Sequence, residues 1–248
     1  VAWSPDGSRL AIGYTGDKRD TETIHIILVT TGERIFTYSG GGSFWGAQDD
    51  RSINALAWSP DGARIAWGGG ENKVEVWDAQ MRRQLAVYKG HNSAVYALAW
   101  SHDGRQIASS GADDAVHIWD ASTGRNAATF FKHSSVVTGV AWSSNGQRVA
   151  TASHDRTALV WNAVTGTTLT THRGHTDRVL ALSWSPDGSR LATASRDGQA
   201  HIWDSSRGVN TYTYTGHVGS VNAISWSPDG KRIASAGADH TVHVWRAV

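Results

Sequence analysis

Hydrophobic and polar residues alternate along most of this chain in short runs that end at turn residues. Residues 94–100, AVYALAW, alternate with period two and stop at SHDG. Period two places successive side chains on opposite faces of a strand. RQIASSG (105–111) follows, then a short Ala-Asp-Asp turn, AVHIWD (115–120), an ASTGR turn and NAATFF (126–131). The pattern predicts four short antiparallel strands joined by Gly, Asp and Ser turns. No stretch carries the spacing of an amphipathic helix.

The pattern repeats. VAWSPDG (1–7), LAWSPDG (56–62), LAWSHDG (98–104), VAWSSNG (140–146), LSWSPDG (182–188) and ISWSPDG (224–230) share one form. Their tryptophans stand at 3, 58, 100, 142, 184 and 226, so the interval is 55 once and 42 four times. A fixed period of this length marks a repeat architecture whose units bury their cores against one another. Segments 174–204 and 216–246 agree at 16 of 31 positions, which favours duplication. Six four-stranded sheets stacked radially around a channel would leave only short edges.

The ends GH (90–91, 174–175, 216–217) and WD (77–78, 119–120, 203–204) complete the unit. With the SPDG turn they resemble the WD-repeat β-propeller family over essentially the whole chain. The resemblance implies an all-β propeller of four-stranded antiparallel blades, with six repeats visible and seven blades open for a parent protein. It implies that each repeat gives the fourth strand of one blade and the first three of the next. The chain begins at a first strand and ends after a third, VHVWRAV. A single domain over 1–248, cut from a longer multidomain protein, is therefore expected, with an open edge at the last blade. The uniform repeats resemble those of multidomain prokaryotic regulatory proteins.

Composition narrows the function. There are no cysteines, which excludes disulfides, thiol catalysis and cysteine-ligated zinc. Formal net charge is +1, from 23 basic and 22 acidic residues, so no bulk field favours nucleic acid or an anionic membrane. No apolar run approaches the roughly 18 residues of a membrane span, and no signal peptide is visible. A cytoplasmic, monomeric domain is the expectation.

Chemistry is suggested by a hydroxyl, an imidazole and a carboxylate that recur in each of the last four repeats. They are His91, Ser109, Asp113 with Trp119; His133, Thr151, Asp155 with Trp161; His175, Thr193, Asp197 with Trp203; and His217, Ser235, Asp239 with Trp245. A catalytic triad occurs once, beside a cleft with oxyanion donors. Four copies point instead to scaffold, and the resemblance implies structural hydrogen-bonded tetrads, so no catalytic residue is assigned. His25, His117, His201 and His243 recur two positions before the tryptophan position, on third strands. Metal ligands must converge, and these are expected to be separate, half-exposed surface residues with no metal or other cofactor between them.

Function is sought where the repeats disagree. The second repeat has Trp67, Glu71 and Asp49 in the hydroxyl, carboxylate and imidazole positions, and the first has Ile12 and Ile27 in the hydroxyl and tryptophan positions. Insertions occur around 15–23 and 39–52. Phe44 and Trp45, set among glycines in the second, are either a packed lid or an exposed anchor. Turn-tip and first-strand positions at the same end of the blades give His154, Arg178 and Arg196, with Tyr96, Thr138, Leu180 and Asn222 nearby in the pattern. Arginine forks suit carboxylate or phosphate; an ordinary solvated rim is the other reading. The resemblance implies a non-catalytic scaffold or sensor that binds a protein or peptide partner on the propeller's top face. Capture of a phospho-group or small ligand at the channel mouth is the alternative, and a catalytic or metal-binding propeller a weaker one.

Overall fold

The computed structural model describes residues 1–14, 23–39 and 52–247. Every regular element among them is a strand. Two compact units divide the chain, Val1–Asp113 with His117–Thr129, and Asp114–Val116 with Phe130–Val248.

Sheet 1 of the first unit comprises Ala2–Trp3, Arg9–Tyr14, Thr23–Leu28 and Arg34–Ser39. Sheet 2 comprises Ile53–Trp58, Arg64–Gly69, Val74–Asp78 and Gln84–Tyr88, and sheet 3 Val95–Trp100, Gln106–Gly111, Val116–Asp120 and Asn126–Phe130. In the second unit sheet 4 is built from Val137–Trp142, Arg148–Ser153, Ala158–Asn162 and Thr168–His172. Sheet 5 is built from Val179–Trp184, Arg190–Ser195, Ala200–Asp204 and Asn210–Tyr214. Sheet 6 has three strands, Val221–Trp226, Arg232–Gly237 and Val242–Arg246. In each sheet the strands pair in chain order, and every pairing that is resolved residue by residue is antiparallel, as in sheets 4 and 5.

The turn chemistry follows from the repeated letters. In the SPDG turn of sheet 2, Gly62 N–H donates to the Ser59 carbonyl, and Gly62 takes φ +67°. Glycine alone holds that left-handed conformation without strain. Asp61 accepts the Ser59 hydroxyl and the Ala63 N–H, while Ser59 Oγ accepts the Arg64 N–H. The aspartate of the WD pair caps the next turn: Asp120 Oδ1 accepts N–H bonds from Ser122 and Thr123 at 3.0 and 2.8 Å. It is a turn residue, and it does no chemistry.

The second strands of sheets 2 to 5 do not alternate in burial. VATAS of sheet 4 and LATAS of sheet 5 are buried at every position. Both faces of these strands are covered: the two alanines fill one, and Val or Leu shares the other with Thr and Ser. Sheet 6 differs on its third strand, where Val242 and Val244 are 69% and 63% exposed; their counterparts Val74 and Val76 in sheet 2 are at 0%.

One clamp recurs between sheets 1 and 2, 2 and 3, and 4 and 5. Trp58, Trp100 and Trp184 donate their indole N–H to the carbonyls of Ala2, Ala57 and Ala141 in the sheet before. Arg64 lies over the Trp100 ring at 4.8 Å and donates from Nη2 to the Gly104 carbonyl at 2.7 Å. Arg9 and Arg148 repeat both contacts on Trp58 with Gly62 and on Trp184 with Gly188. Removing the fork and its ring contact in Arg64→Ala should cost about 1–2 kcal/mol. Arg64→Lys should recover less than half of that in urea unfolding, because an ammonium cannot span ring and carbonyl together.

Candidate functional site

Hydrogen bonds join the four recurring polar sets. In sheet 3 His91 Nδ1 donates to Asp113 Oδ2 at 2.9 Å, and the Ser109 hydroxyl donates to His91 Nε2 at 2.7 Å. Trp119 Nε1 completes the chain by donating to Ser109 Oγ at 3.1 Å. Sheet 6 has the same four members, with 2.9, 2.9 and 3.1 Å for the corresponding bonds. His133 with Asp155 and Thr151, and His175 with Asp197 and Thr193, close the imidazole bonds at 2.8–2.9 Å. There the indoles of Trp161 and Trp203 find no acceptor. The tetrad is thus complete where the hydroxyl is serine, and three-membered where it is threonine, whose branched Cβ restricts χ1.

The electrostatics agree with this direction of donation. Burial by itself would raise the Asp197 carboxyl, but the hydrogen bond and charge of His175 outweigh it and hold the group at about 2. Burial keeps the His91 ring neutral by pushing its pKa down against the pull of Asp113. Ser109 has the hydroxyl–imidazole–carboxylate order of an acyl-transfer nucleophile, yet it is fully buried and already accepts the Trp119 N–H. No substrate reaches that oxygen.

Sheet 2 replaces the tetrad with a different network. Trp67 stacks on Trp77 at 5.6 Å and 17°, and the Tyr38 ring meets Trp77 edge-on at 3.9 Å. Trp77 Nε1 donates to Glu75 Oε2 at 2.9 Å, and Lys73 pairs with Glu75 and Glu71. The apolar replacement at position 67 is therefore accompanied by a new acceptor, Glu75, in the third strand.

Among the described residues three groups of side chains bring possible ligand atoms within 4.8 Å: His172, His175 and His201; His91, Asp113 and His117; and His217, Asp239 and His243. In the first and third groups every histidine already bonds to a neighbour. Of the third-strand histidines, His25 and His243 are half-buried as alternation suggests, whereas the other two are not. His117 and His201 are 5% and 3% exposed. The fourth strand of the preceding sheet covers them, through Tyr88 and His172. His172 carries no signal in the repeat comparison until its position is aligned with Tyr88 and Tyr214.

The rim positions pair through the backbone. Tip and first-strand residues are joined by N–H···O=C bonds of 2.8–3.0 Å in Gly70–Ser52, Ala112–Ala94, His154–Val136, Arg196–Arg178 and Ala238–Ser220. Only the Arg196–Arg178 pair carries two cations. Both residues are exposed. Asp177, which the sequence comparison passed over, stands 3.9 Å from Arg196 Nε. His154 is half-buried, and burial followed by the charges of Arg178 and Arg196 pushes its pKa down. The three basic side chains thus feel one another.

The remaining candidates separate. The Thr138 hydroxyl donates to the Val179 carbonyl at 2.7 Å, as Asn54 Nδ2 does to Val95, so this position latches neighbouring first strands. Leu180 is half-buried, and Asn222 is exposed with its Oδ1 accepting from Ser220. Tyr96 is exposed in the first unit. Phe44 and Trp45 lie outside the described residues.

Comparison with known proteins matches this architecture. A solved structure described as "Crystal Structure of Mitotic Checkpoint Complex" contains a chain that is 28% identical, with a TM-score of 0.86. The match covers 99% of this chain and 76% of that one. The family model "WD domain, G-beta repeat" matches residues 37–78, 82–120, 124–162, 166–204 and 208–246, each a fourth strand followed by the next three. Sheet 1 falls almost wholly outside the matched residues but repeats the same strand order. With its SPDG turns, its all-β sheets and these five matched repeats, the chain belongs to the WD40 family of β-propeller proteins.

Proposed function

We propose that this chain is a non-catalytic interaction module for a protein or peptide partner, and that Arg178 and Arg196 hold an anionic group of that partner. One observation carries the reading. Among five equivalent rim pairs, a single one presents two exposed guanidinium groups, and their nearest carboxylate stands at 3.9 Å. Such loosely paired forks are available for bidentate bonding to carboxylate or phosphate. WD40 propellers are generally protein-interaction scaffolds, and the similar chain of known structure belongs to a mitotic checkpoint complex.

The test uses arrayed acidic peptides and their phosphorylated counterparts against wild type and the Arg178→Glu/Arg196→Glu double variant. Reversing both charges should weaken binding by at least about tenfold while leaving the melting temperature unchanged, since both side chains are on the solvated rim. Equal binding by the double variant removes the rim from the site. Preference for phosphorylated over acidic peptides would identify the phospho-group reading; a steep salt dependence should accompany either.

A further inference from the structure

His172 departs from a pairing that two of its counterparts keep. Tyr88 and Tyr214 occupy its position in sheets 2 and 5, and stack on Trp119 and Trp245 at 4.8 and 4.5 Å. Their phenols bond Nδ1 of His117 and His243 at 2.6 and 2.8 Å. In sheet 4 the phenol is replaced by a second imidazole. His172 stacks on Trp203 at 5.0 Å and 12°, and its Nε2 meets His201 Nδ1 at 3.1 Å. Both rings are buried.

A tyrosine brings its own proton to such a bond, whereas two imidazoles must divide their protons between them. The atom 3.0 Å from His201 Nε2 is Gln199 Oε1, and a carbonyl oxygen can only accept. His201 therefore carries its proton on Nε2 and offers a lone pair on Nδ1. His172 in turn places its proton on Nε2 and donates it to His201 Nδ1. Gln199 Oε1 accepts equally from a doubly protonated His201, so Gln199 serves either protonation state.

The surroundings close the pair off. His175 stacks on His201 at 3.9 Å and 15°, but its nitrogens are held by Asp197 and Thr193. A Cβ on Gly174 would lie 3.0 Å from the His172 ring and 3.2 Å from that of His201. Among the described residues no third imidazole lone pair is left free here, and the species that fits between the two rings is a proton.

We propose that His172, His201 and Gln199 form a buried proton-binding relay, and that proton uptake there destabilises the fold in mildly acidic solution. The titratable groups acting on the pair are His175, ahead of sheet 5, and Asp197, in its second turn. The third strand of sheet 4 carries none, and Arg173 and Arg207, adjacent in sequence, are exposed. Burial, then the neighbouring imidazoles, lowers His172 to about 4 and His201 to about 3. In the unfolded chain both titrate near the ordinary value of about 6.5. Stability from this junction is therefore complete above that value and falls as the pH drops toward 4, because the unfolded chain binds the protons first.

The test compares wild type with His172→Tyr, which restores the phenol, in urea unfolding at about pH 7.5 and pH 5. The folded-to-unfolded ratio of wild type should fall by about tenfold more than that of the variant. Imidazole NMR of the folded wild type should show both rings neutral at neutral pH with the proton on Nε2. The Gln199→Leu variant, which replaces neither ring but removes the acceptor of the His201 Nε2 proton, should lower the His201 titration further. Equal pH dependence of wild type and His172→Tyr, or rings titrating near the free value in the folded wild type, would overturn the proposal. The NMR titration decides the matter even where His172→Tyr does not fold.

Discussion

Trp119→Ala should unfold with about 4 kcal/mol less free energy than wild type, the loss typical of a large buried aromatic truncated to alanine. Trp119 is fully buried and lies face to face with Tyr88, 4.8 Å away and 3° from parallel. Its N–H is also the donor that holds Ser109 Oγ toward His91. Truncation therefore opens a cavity and removes one bond from a closed network at the same time. The packing part should dominate, since a single net hydrogen bond contributes only about 1 kcal/mol. Trp119→Phe isolates it, keeping most of the ring area while losing the N–H, and should cost less than half as much. The measurement is urea unfolding with the m-value held constant. A loss below about 1 kcal/mol for the alanine variant would mean that the ring is not a core element.

The second large effect is at Asp197. Its Oδ2 accepts from His175 Nδ1 and the Thr176 N–H, and Oδ1 accepts from the Gln199 N–H. Alanine leaves all three donors without an acceptor, and the imidazole among them has no solvent contact. A cost of about 3 kcal/mol follows from the desolvation of such groups. The carboxyl sits below its ordinary value, so its contribution is present above that value and is lost as the pH falls through about 2. The gap between wild type and Asp197→Ala should accordingly narrow only in strong acid. Thermal melts that overlay at neutral pH would show that the carboxylate does not hold this turn.

Much of this was legible in the letters, for a physical reason in each case. Third-repeat strands fall within one residue of their alternating segments, because Gly104 and Asp103 can do little except turn the chain. The residues grouped by repeat position, such as His175, Thr193 and Asp197, are those that the hydrogen bonds join. What alternation could not supply was the covering of each face. Strand periodicity says that His117 and His201 point away from the side chains on either side of them in the strand, but not what lies opposite. The covering residues, Tyr88 and His172, stand 29 positions upstream on the strand of another sheet. For the same reason spacing alone does not mark the second strands of sheets 4 and 5 as buried on both faces. The indole bond present with Ser109 and absent with Thr193 depends on a rotamer, which no spacing encodes.

The paired indoles of sheet 2 give the protein an internal optical label. Trp67 and Trp77 lie nearly parallel at 5.6 Å, close enough for their excited states to couple and produce a paired band in near-ultraviolet circular dichroism. Among the described residues no other two indoles are stacked in this way. That band follows sheet 2 alone, while the summed fluorescence of thirteen tryptophans follows the whole chain. Overlaying the two during denaturation reveals whether the first unit melts with the rest or ahead of it, with no added dye and no mutation.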